Sequence, residues 1–176
     1  MKRLFKALRL TPVAALSVVA CALTFGGTRV GARAGRAAGS VQKERLAIIV
    51  NRSNPVDNLT FAELRQYFLG ERGRWPDGRH VTIIMRQPDE PERAAVLRLV
   101  YEMREQDFHA HFLHAKFTGE TLEEPRLLDT PARVVNFVFL QPGALGYVRA
   151  GEVNASVKVV KIDGLLPSDA GYKLEL

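Results

Sequence analysis

Two short apolar runs, each followed by a helix start, constrain the fold of this chain most. LAIIVN (46–51) and VTIIMR (81–86) are nearly continuous apolar runs rich in β-branched residues, which is typical of strands buried on both faces. After each run, Thr60 or Asp89 has a glutamate three residues later, the spacing of a helix capping box. Alternating strands and helices predict an α/β fold, a three-layer, mainly parallel sheet with helices on both faces.

The rest of the chain extends this pattern. Helical spacing continues at 106–117, and Asp129 or Thr130 followed by Pro131 marks another helix start. ALGYV (144–148) and SVKVVKID (156–163) are the last predicted strands. We therefore expect a signal segment at 1–34, a flexible linker at 35–44, one folded domain at 45–164 and a C-terminal tail at 165–176.

The first 34 residues account for the basic character of the chain. Six of the 25 basic residues lie there and no acidic residue does, so the remaining basic residues match the 19 acidic ones in number. A cationic start, an apolar core and a small-residue region are typical of a secretory signal peptide. The core is shorter than a comfortable membrane span, although an uncleaved anchor is the alternative. Either alternative predicts export to the periplasm, and the neutral remainder gives no reason to expect a nucleic-acid partner.

Cys21 is the single cysteine, so an intramolecular disulfide is excluded. Its setting, VVAC, is similar to a bacterial lipobox, in which the cysteine is lipidated and becomes the first mature residue. Two further features favour ordinary signal cleavage: ALTF continues the apolar run, and ARA at 32–34 offers a second cleavage site. The membrane is therefore expected to be contacted only through the signal or a lipid anchor.

Catalytic and metal-binding signals are weak. The chain contains no G-x-S-x-G, G-x-G-x-x-G or Walker sequence, so we expect neither enzyme activity nor a cofactor. Three histidines lie close together, but His111 and His114 share a helix face from which His109 points away. We therefore predict no metal site.

A set of spaced motifs resembles the phosphate-type periplasmic solute-binding proteins of bacterial ABC importers. The motifs are a strand ending in N-x-x-N-P, the helix LTFAELRQYFLG, a W-x-D-G turn, a strand ending in arginine, and PGALGYV. This resemblance implies a lobe of the type II periplasmic-binding-protein kind, from a class of proteins that captures small oxyanions such as phosphate between two lobes and delivers them to an ABC permease. It covers roughly Leu46 to Val148, enough chain for about one lobe.

The loop after Arg86 departs from the family pattern. The family has a short Ser/Gly/Thr-rich loop there, whereas this chain has QPDEPE (87–92). Each proline lacks the N–H that an anion would accept from, and the carboxylates would repel a dianion by several kcal/mol, on the order of the interaction at an effective dielectric near 20. We expect Arg86 to pair with one of these acids and tight phosphate binding to be lost.

The sequence thus favours an exported, non-enzymatic solute-binding-like protein. The ligand contacts expected from the resemblance and from the strand ends are Arg86, Gln87, Asn51 and Tyr147. The alternative is an envelope protein-interaction module that has lost phosphate binding and docks on a partner or on another copy of itself.

Overall fold

The computed structural model describes residues 44–118 and 123–176. The predicted signal segment, Cys21 and the predicted linker up to residue 43 lie outside the described residues. The α-helices and strands, in chain order, are β1 (Leu46–Asn51), β2 (Asn58–Leu59), α1 (Phe61–Phe68), β3 (Thr82–Arg86), α2 (Pro91–Val96), α3 (Glu105–Thr118), β4 (Arg126–Leu128), α4 (Pro131–Leu140), β5 (Ala144–Arg149), β6 (Val157–Val159) and β7 (Lys161–Ile162).

Five of these strands form one mixed sheet in the order β4-β3-β5-β1-β6. Strand β3 pairs in parallel with both β4 and β5, whereas β1 is antiparallel to both of its neighbours, β5 and β6. Four strands therefore run in one direction and β1 runs in the other. The predicted α/β class with a mainly parallel sheet is confirmed, and β2 and β7 add a separate parallel pair.

Helices cover both faces of the sheet, because the side chains of β1 alternate between two apolar clusters. Leu46, Ile48 and Val50 pack with residues of α1, α3 and the turn after α2. Ala47 and Ile49 pack on the other face against α4. All six residues of β1 are buried, as expected for an inner strand with helices on both sides.

Helix α1 starts at its predicted capping signal, whereas helix α2 does not. Thr60 accepts a hydrogen bond from the Glu63 N–H, and the Glu63 carboxylate accepts one from the Thr60 N–H, so the predicted capping box of α1 is confirmed. The Asp89 start of α2 is wrong: Glu90 is the N-cap and Pro91 the first helical residue. A proline disfavours helical geometry in the residue before it, which delays the start to Pro91.

The helix after β3 is not regular throughout. Leu97–Tyr101 widens into a π-helical turn, which ends at Glu102 in the left-handed region at φ 55°.

Strand β4 has no counterpart in the predicted elements, and the predicted strand at 156–163 divides into β6 and β7.

The segment predicted as a C-terminal tail packs against the same core. Tyr172 and Leu174 are buried, and the Leu46 N–H donates to the Leu174 carbonyl at 2.9 Å. The described chain thus brings its last residues beside the start of β1. Within the described ranges, no helix is long and apolar enough to cross a bilayer.

Candidate functional site

Arg86 ends β3 at the carboxyl edge of the parallel strands, where ligands of α/β sheets are usually held. Its backbone N–H donates to the Tyr147 hydroxyl at 3.1 Å, and its carbonyl accepts from Nη1 of Arg93 at 3.0 Å. The residue is only 4% exposed, and its Nη2 lies 3.2 Å from Oε2 of Glu90. Hydrogen bonds at its backbone N–H and carbonyl therefore fix the position of Arg86, and its side chain contacts a carboxylate of the following loop.

The Arg86 guanidinium has more donors than partners. Its Nε and Nη1 are buried and have no hydrogen-bond partner among the described residues. A buried charged donor without an acceptor loses solvation that a single ion pair does not replace. The arrangement therefore favours an additional anionic or polar acceptor at this position.

Glu92, two residues beyond Glu90, is buried and bound to Arg149. It accepts a hydrogen bond from Nε of Arg149, whose Nη1 also contacts Glu44 at 2.6 Å. Burial alone would raise the pKa of Glu92, but the hydrogen bond and charge of Arg149, together with its own backbone N–H and the charge of Arg86, hold the pKa below its ordinary value. Glu92 is therefore a carboxylate in the folded protein at neutral pH.

Arg93, which is buried, forms a second ion pair with the half-exposed Glu105. Its Nε lies 3.1 and 3.0 Å from the two carboxylate oxygens of Glu105, and its Nη2 lies 2.6 Å from Oε1. Its guanidinium carbon lies 5.1 Å from the ring centre of Phe108, a cation–π contact. The hydrogen bond from Arg93 holds the pKa of Glu105 below its ordinary value. His109 also contacts Glu105, at 3.1 Å.

The loop backbone is shaped to bring Glu90 onto Arg86. Asp89 adopts a left-handed conformation at φ 69°, Glu90 is extended, and Pro91 begins the helix. A left-handed residue reverses the chain direction locally, and aspartate tolerates that conformation better than most residues. The result is a turn in which three residues separate Arg86 from Glu90, the glutamate that it contacts.

The residues predicted from the sequence as ligand contacts are only partly brought together. Tyr147 lies beside Arg86 and binds its backbone, and burial raises the pKa of the Tyr147 hydroxyl, so it remains neutral. Gln87 follows on the surface and donates its backbone N–H to the Leu128 carbonyl at 3.2 Å. These three residues share one edge of the sheet.

Asn51 lies at the opposite edge. Ile83 is level with Leu145, and Leu145 with Val50, so Arg86 and Asn51 are separated by about four residue steps, on the order of 13 Å along the strands. The Asn51 side chain donates to the Val138 and Phe139 carbonyls at 3.0 and 2.6 Å, and thereby binds the last turn of α4. Asn51 is a structural residue in this geometry.

The sequence reasoning missed Arg93, Glu105 and Arg149. A signal existed for Arg93, because it lies three residues before Val96 and seven before Val100, within the apolar stripe of its helix. A charged residue at a stripe position predicts a buried charge with a partner. Glu105 and Arg149 carry no comparable signal, because only the fold brings them to this edge.

Other candidate features lie away from this edge. A cavity of about 50 Å³ at the amino end of β3 is lined by Thr82, Ile83, His80 and Glu123, among others, and Arg86 is not part of its wall. Within 44–118 and 123–176, no group of three histidine, cysteine or acidic residues is arranged to hold a metal ion.

Comparison with known proteins supports the fold. No family model matches the chain. Among solved structures, it is similar to an ABC-type phosphate transport receptor from Vibrio cholerae, with 19% identity and a TM-score of 0.59 over 72% of this chain and 50% of that one. A putative phosphate ABC transporter substrate-binding protein with bound phosphate from Clostridium perfringens gives 20% identity and a TM-score of 0.58, over 70% and 47% of the two chains. PstS from Borrelia burgdorferi gives 14% and 0.60, over 75% and 54%.

The chain thus spans about half the length of the structures it matches. At these identities the likeness establishes the fold. The resemblance to phosphate-type solute-binding proteins that the sequence motifs indicate is confirmed at that level, as is the α/β lobe.

Proposed function

We propose that this chain is an exported, non-enzymatic solute-binding-like protein that binds a small oxyanion weakly at Arg86. The observation that carries the proposal is the buried Arg86 guanidinium, which lies at the carboxyl edge of the sheet with Nε and Nη1 lacking partners among the described residues. Three solved proteins of the same fold are described as phosphate receptors or substrate-binding proteins of phosphate transporters, or as PstS. They support phosphate as the first ligand to test.

The charges around Arg86 make this binding weak. Glu90 already contacts the guanidinium, and the charge of Arg86 contributes to lowering the pKa of Glu92. A phosphate dianion would approach these two carboxylates at a few ångströms, and the repulsion offsets much of its attraction to Arg86. Pro88 and Pro91 also lack the N–H groups with which a loop holds an anion.

The three predicted ligand residues that share this edge have different roles in the proposal. Arg86 supplies the charge, and Gln87 supplies an exposed amide beside it. Tyr147 orients Arg86 through the backbone and does not contact the anion. An ABC permease would be the partner of such a protein in the periplasm, and the predicted leader would deliver it there.

Isothermal titration with phosphate and with sulfate tests the proposal. We expect dissociation constants in the millimolar range, about 4 kcal/mol of binding free energy, and no detectable binding by Arg86→Gln. Arg133→Gln is the matched control, because it removes an exposed arginine from the start of α4 without touching the Arg86 cluster. Absence of binding by the unmodified protein at millimolar ligand, or equal binding by Arg86→Gln, would contradict the proposal.

The second candidate function is docking on an envelope protein or on another copy of the chain. Leu113 and Phe117 are one turn apart on α3 and are 56% and 83% exposed. Large apolar side chains exposed side by side are typical of interaction surfaces. If they mediate docking, Phe117→Ser will abolish a concentration-dependent increase in mass measured by light scattering; a strict monomer before substitution argues against self-association.

A further inference from the structure

We propose that the carboxylate of Glu90 is a tethered anion that blocks Arg86, so that neutralising or displacing Glu90 opens the site to a small oxyanion. This inference rests on the proposed function, because it takes Arg86 as the place where an anion binds. It adds the residue that sets the affinity of the site.

The first support is that Glu90 binds Arg86 instead of capping its own helix. Glu90 is the N-cap of α2, yet its side chain makes no capping hydrogen bond. Its Oε2 lies 3.2 Å from Nη2 of Arg86 instead. The Glu90 side chain is 35% exposed and the Arg86 side chain 5%, so the carboxylate is the solvent-exposed member of the pair and the guanidinium the buried one.

The second support is that Glu90 uses only part of what the guanidinium offers. The ion pair uses Nη2, while Nε and Nη1 are inaccessible to solvent and lack partners among the described residues. A guanidinium frequently binds a carboxylate or phosphate through two parallel N–H groups. An oxyanion with three or four oxygens could accept hydrogen bonds from N–H groups that a single carboxylate contact leaves unused.

The third support is that the neighbouring carboxylates, those of Glu92 and Glu105, are paired with other arginines. Glu92 accepts a hydrogen bond from Arg149 through Oε1, while its buried Oε2 has no hydrogen-bond partner among the described residues. Glu105 is bound through both oxygens to Arg93. Glu90 is thus the acid that contacts Arg86 directly in the described part of the chain. Removing its charge leaves a buried guanidinium without a directly contacting counterion, and an anion from solution then stabilises it.

Sulfate titration of Glu90→Gln and Glu90→Ser tests the inference, and sulfate is the probe because its charge is constant between pH 5 and 8. We expect both variants to bind sulfate at least about tenfold more tightly than the unmodified protein. Ser is a favourable N-cap residue, so Glu90→Ser also protects the start of α2. The matched control is Asp89→Asn, which removes the same charge from the adjacent exposed residue and should change the affinity little.

The double variant Arg86→Gln/Glu90→Gln should not show the increase in sulfate affinity expected for Glu90→Gln. Unchanged sulfate affinity in both Glu90 variants, or an equal gain in Asp89→Asn, would overturn the inference. If both Glu90 variants are unfolded in buffer, refolding on addition of sulfate supports the inference and failure to refold counts against it.

The two proposals fail separately. No binding by the unmodified protein with a clear gain in Glu90→Gln refutes weak native binding and supports the tethered anion. Millimolar binding by the unmodified protein, without tighter binding by the Glu90 variants, supports weak native binding and refutes the tethered anion.

Discussion

The residues that shape the candidate site are buried or half-buried arginines, each held by a glutamate. Arg86 contacts Glu90, Arg93 contacts Glu105, and Arg149 contacts Glu92. Breaking a buried pair by removing one partner costs more than the pair itself contributes, because the remaining charge stays buried. Removing Glu90 or Glu105, which leaves a buried arginine without its charged partner, should therefore cost more than an ordinary surface substitution.

Glu105→Gln should destabilise the protein by about 2–3 kcal/mol, because it leaves the Arg93 guanidinium, 1% exposed, without its charged partner. Urea unfolding at pH 7 measures the change. Asp107→Asn is the matched control on the same helix, because its pair with Arg104 is exposed and should be worth less than about 1 kcal/mol. Equal losses in the two variants would show that Arg93 does not depend on Glu105.

The ion pairs of Glu105 and Glu92 predict that the stability of the protein depends on pH. The pKa values of Glu105 and Glu92 are lowered in the folded protein, so their contribution is present above the unfolded glutamate pKa near 4.5 and is lost as pH falls through the lower folded values. The urea midpoint of the unmodified protein should therefore fall steeply below about pH 4.5. In Glu105→Gln this slope should be shallower, and an unchanged slope would contradict the assignment.

At the scale of elements, the turn that enters β5 packs against the loop before β3. The Gly143 carbonyl accepts hydrogen bonds from the Thr82 N–H at 3.1 Å and from Nε1 of Trp75 at 3.0 Å. A Cβ added at Gly143 would lie 2.1 Å from the His80 carbonyl oxygen. The close approach of two backbones, rather than an unusual φ angle, requires glycine here.

Gly143→Ala should cost about 2–3 kcal/mol, because the obstructing atom belongs to the backbone and cannot rotate away. Thermal and urea unfolding measure the loss, and near-ultraviolet circular dichroism should show a changed environment of Trp75. Gly151→Ala provides the control, since an added Cβ there meets no atom within 4 Å. Similar stabilities of the two variants would refute the packing argument.

Elements with strong local signals were predictable from the sequence. The capping box of α1 and the Thr130–Pro131 start of α4 specify helices through contacts within four residues. Strand β4 has only three residues and no distinctive pattern, and the turn to a π-helix at Leu97–Tyr101 has no local mark. Elements that depend on their neighbours for hydrogen bonds or packing are the ones that sequence reasoning missed.

At the scale of the whole molecule, the last residues complete the core. Leu174 is fully buried beside β1, and the Leu176 N–H donates to the Glu44 carbonyl at 2.9 Å. Because these contacts join residues more than a hundred positions apart, they couple the two ends of the described chain.

Leu174→Ala should reduce the free energy of unfolding by about 3 kcal/mol, the usual loss for a leucine truncated inside a core. Leu113→Ala is the matched control, since that leucine is 56% exposed on α3 and should change stability by less than about 0.5 kcal/mol. Urea unfolding of both variants measures the difference. If Leu174→Ala behaves like the control, residues 165–176 are a dispensable tail, as the sequence indicated.

Local chemistry by itself determined the class of fold, the main helix and strand segments, and the conflict between the QPDEPE loop and a bound dianion, because each depends on residues near one another in the chain. The tertiary structure decided the direction of β1. Asn51 ends an apolar strand, and the sequence predicts it as a ligand contact together with Arg86. Strand β1 runs antiparallel to its neighbours, however, so its end lies at the other edge of the sheet. An apolar pattern indicates that a strand is buried, but it does not indicate in which direction the strand runs through the sheet. Only the pairing of β1 with β5 and β6 could therefore determine at which edge Asn51 lies.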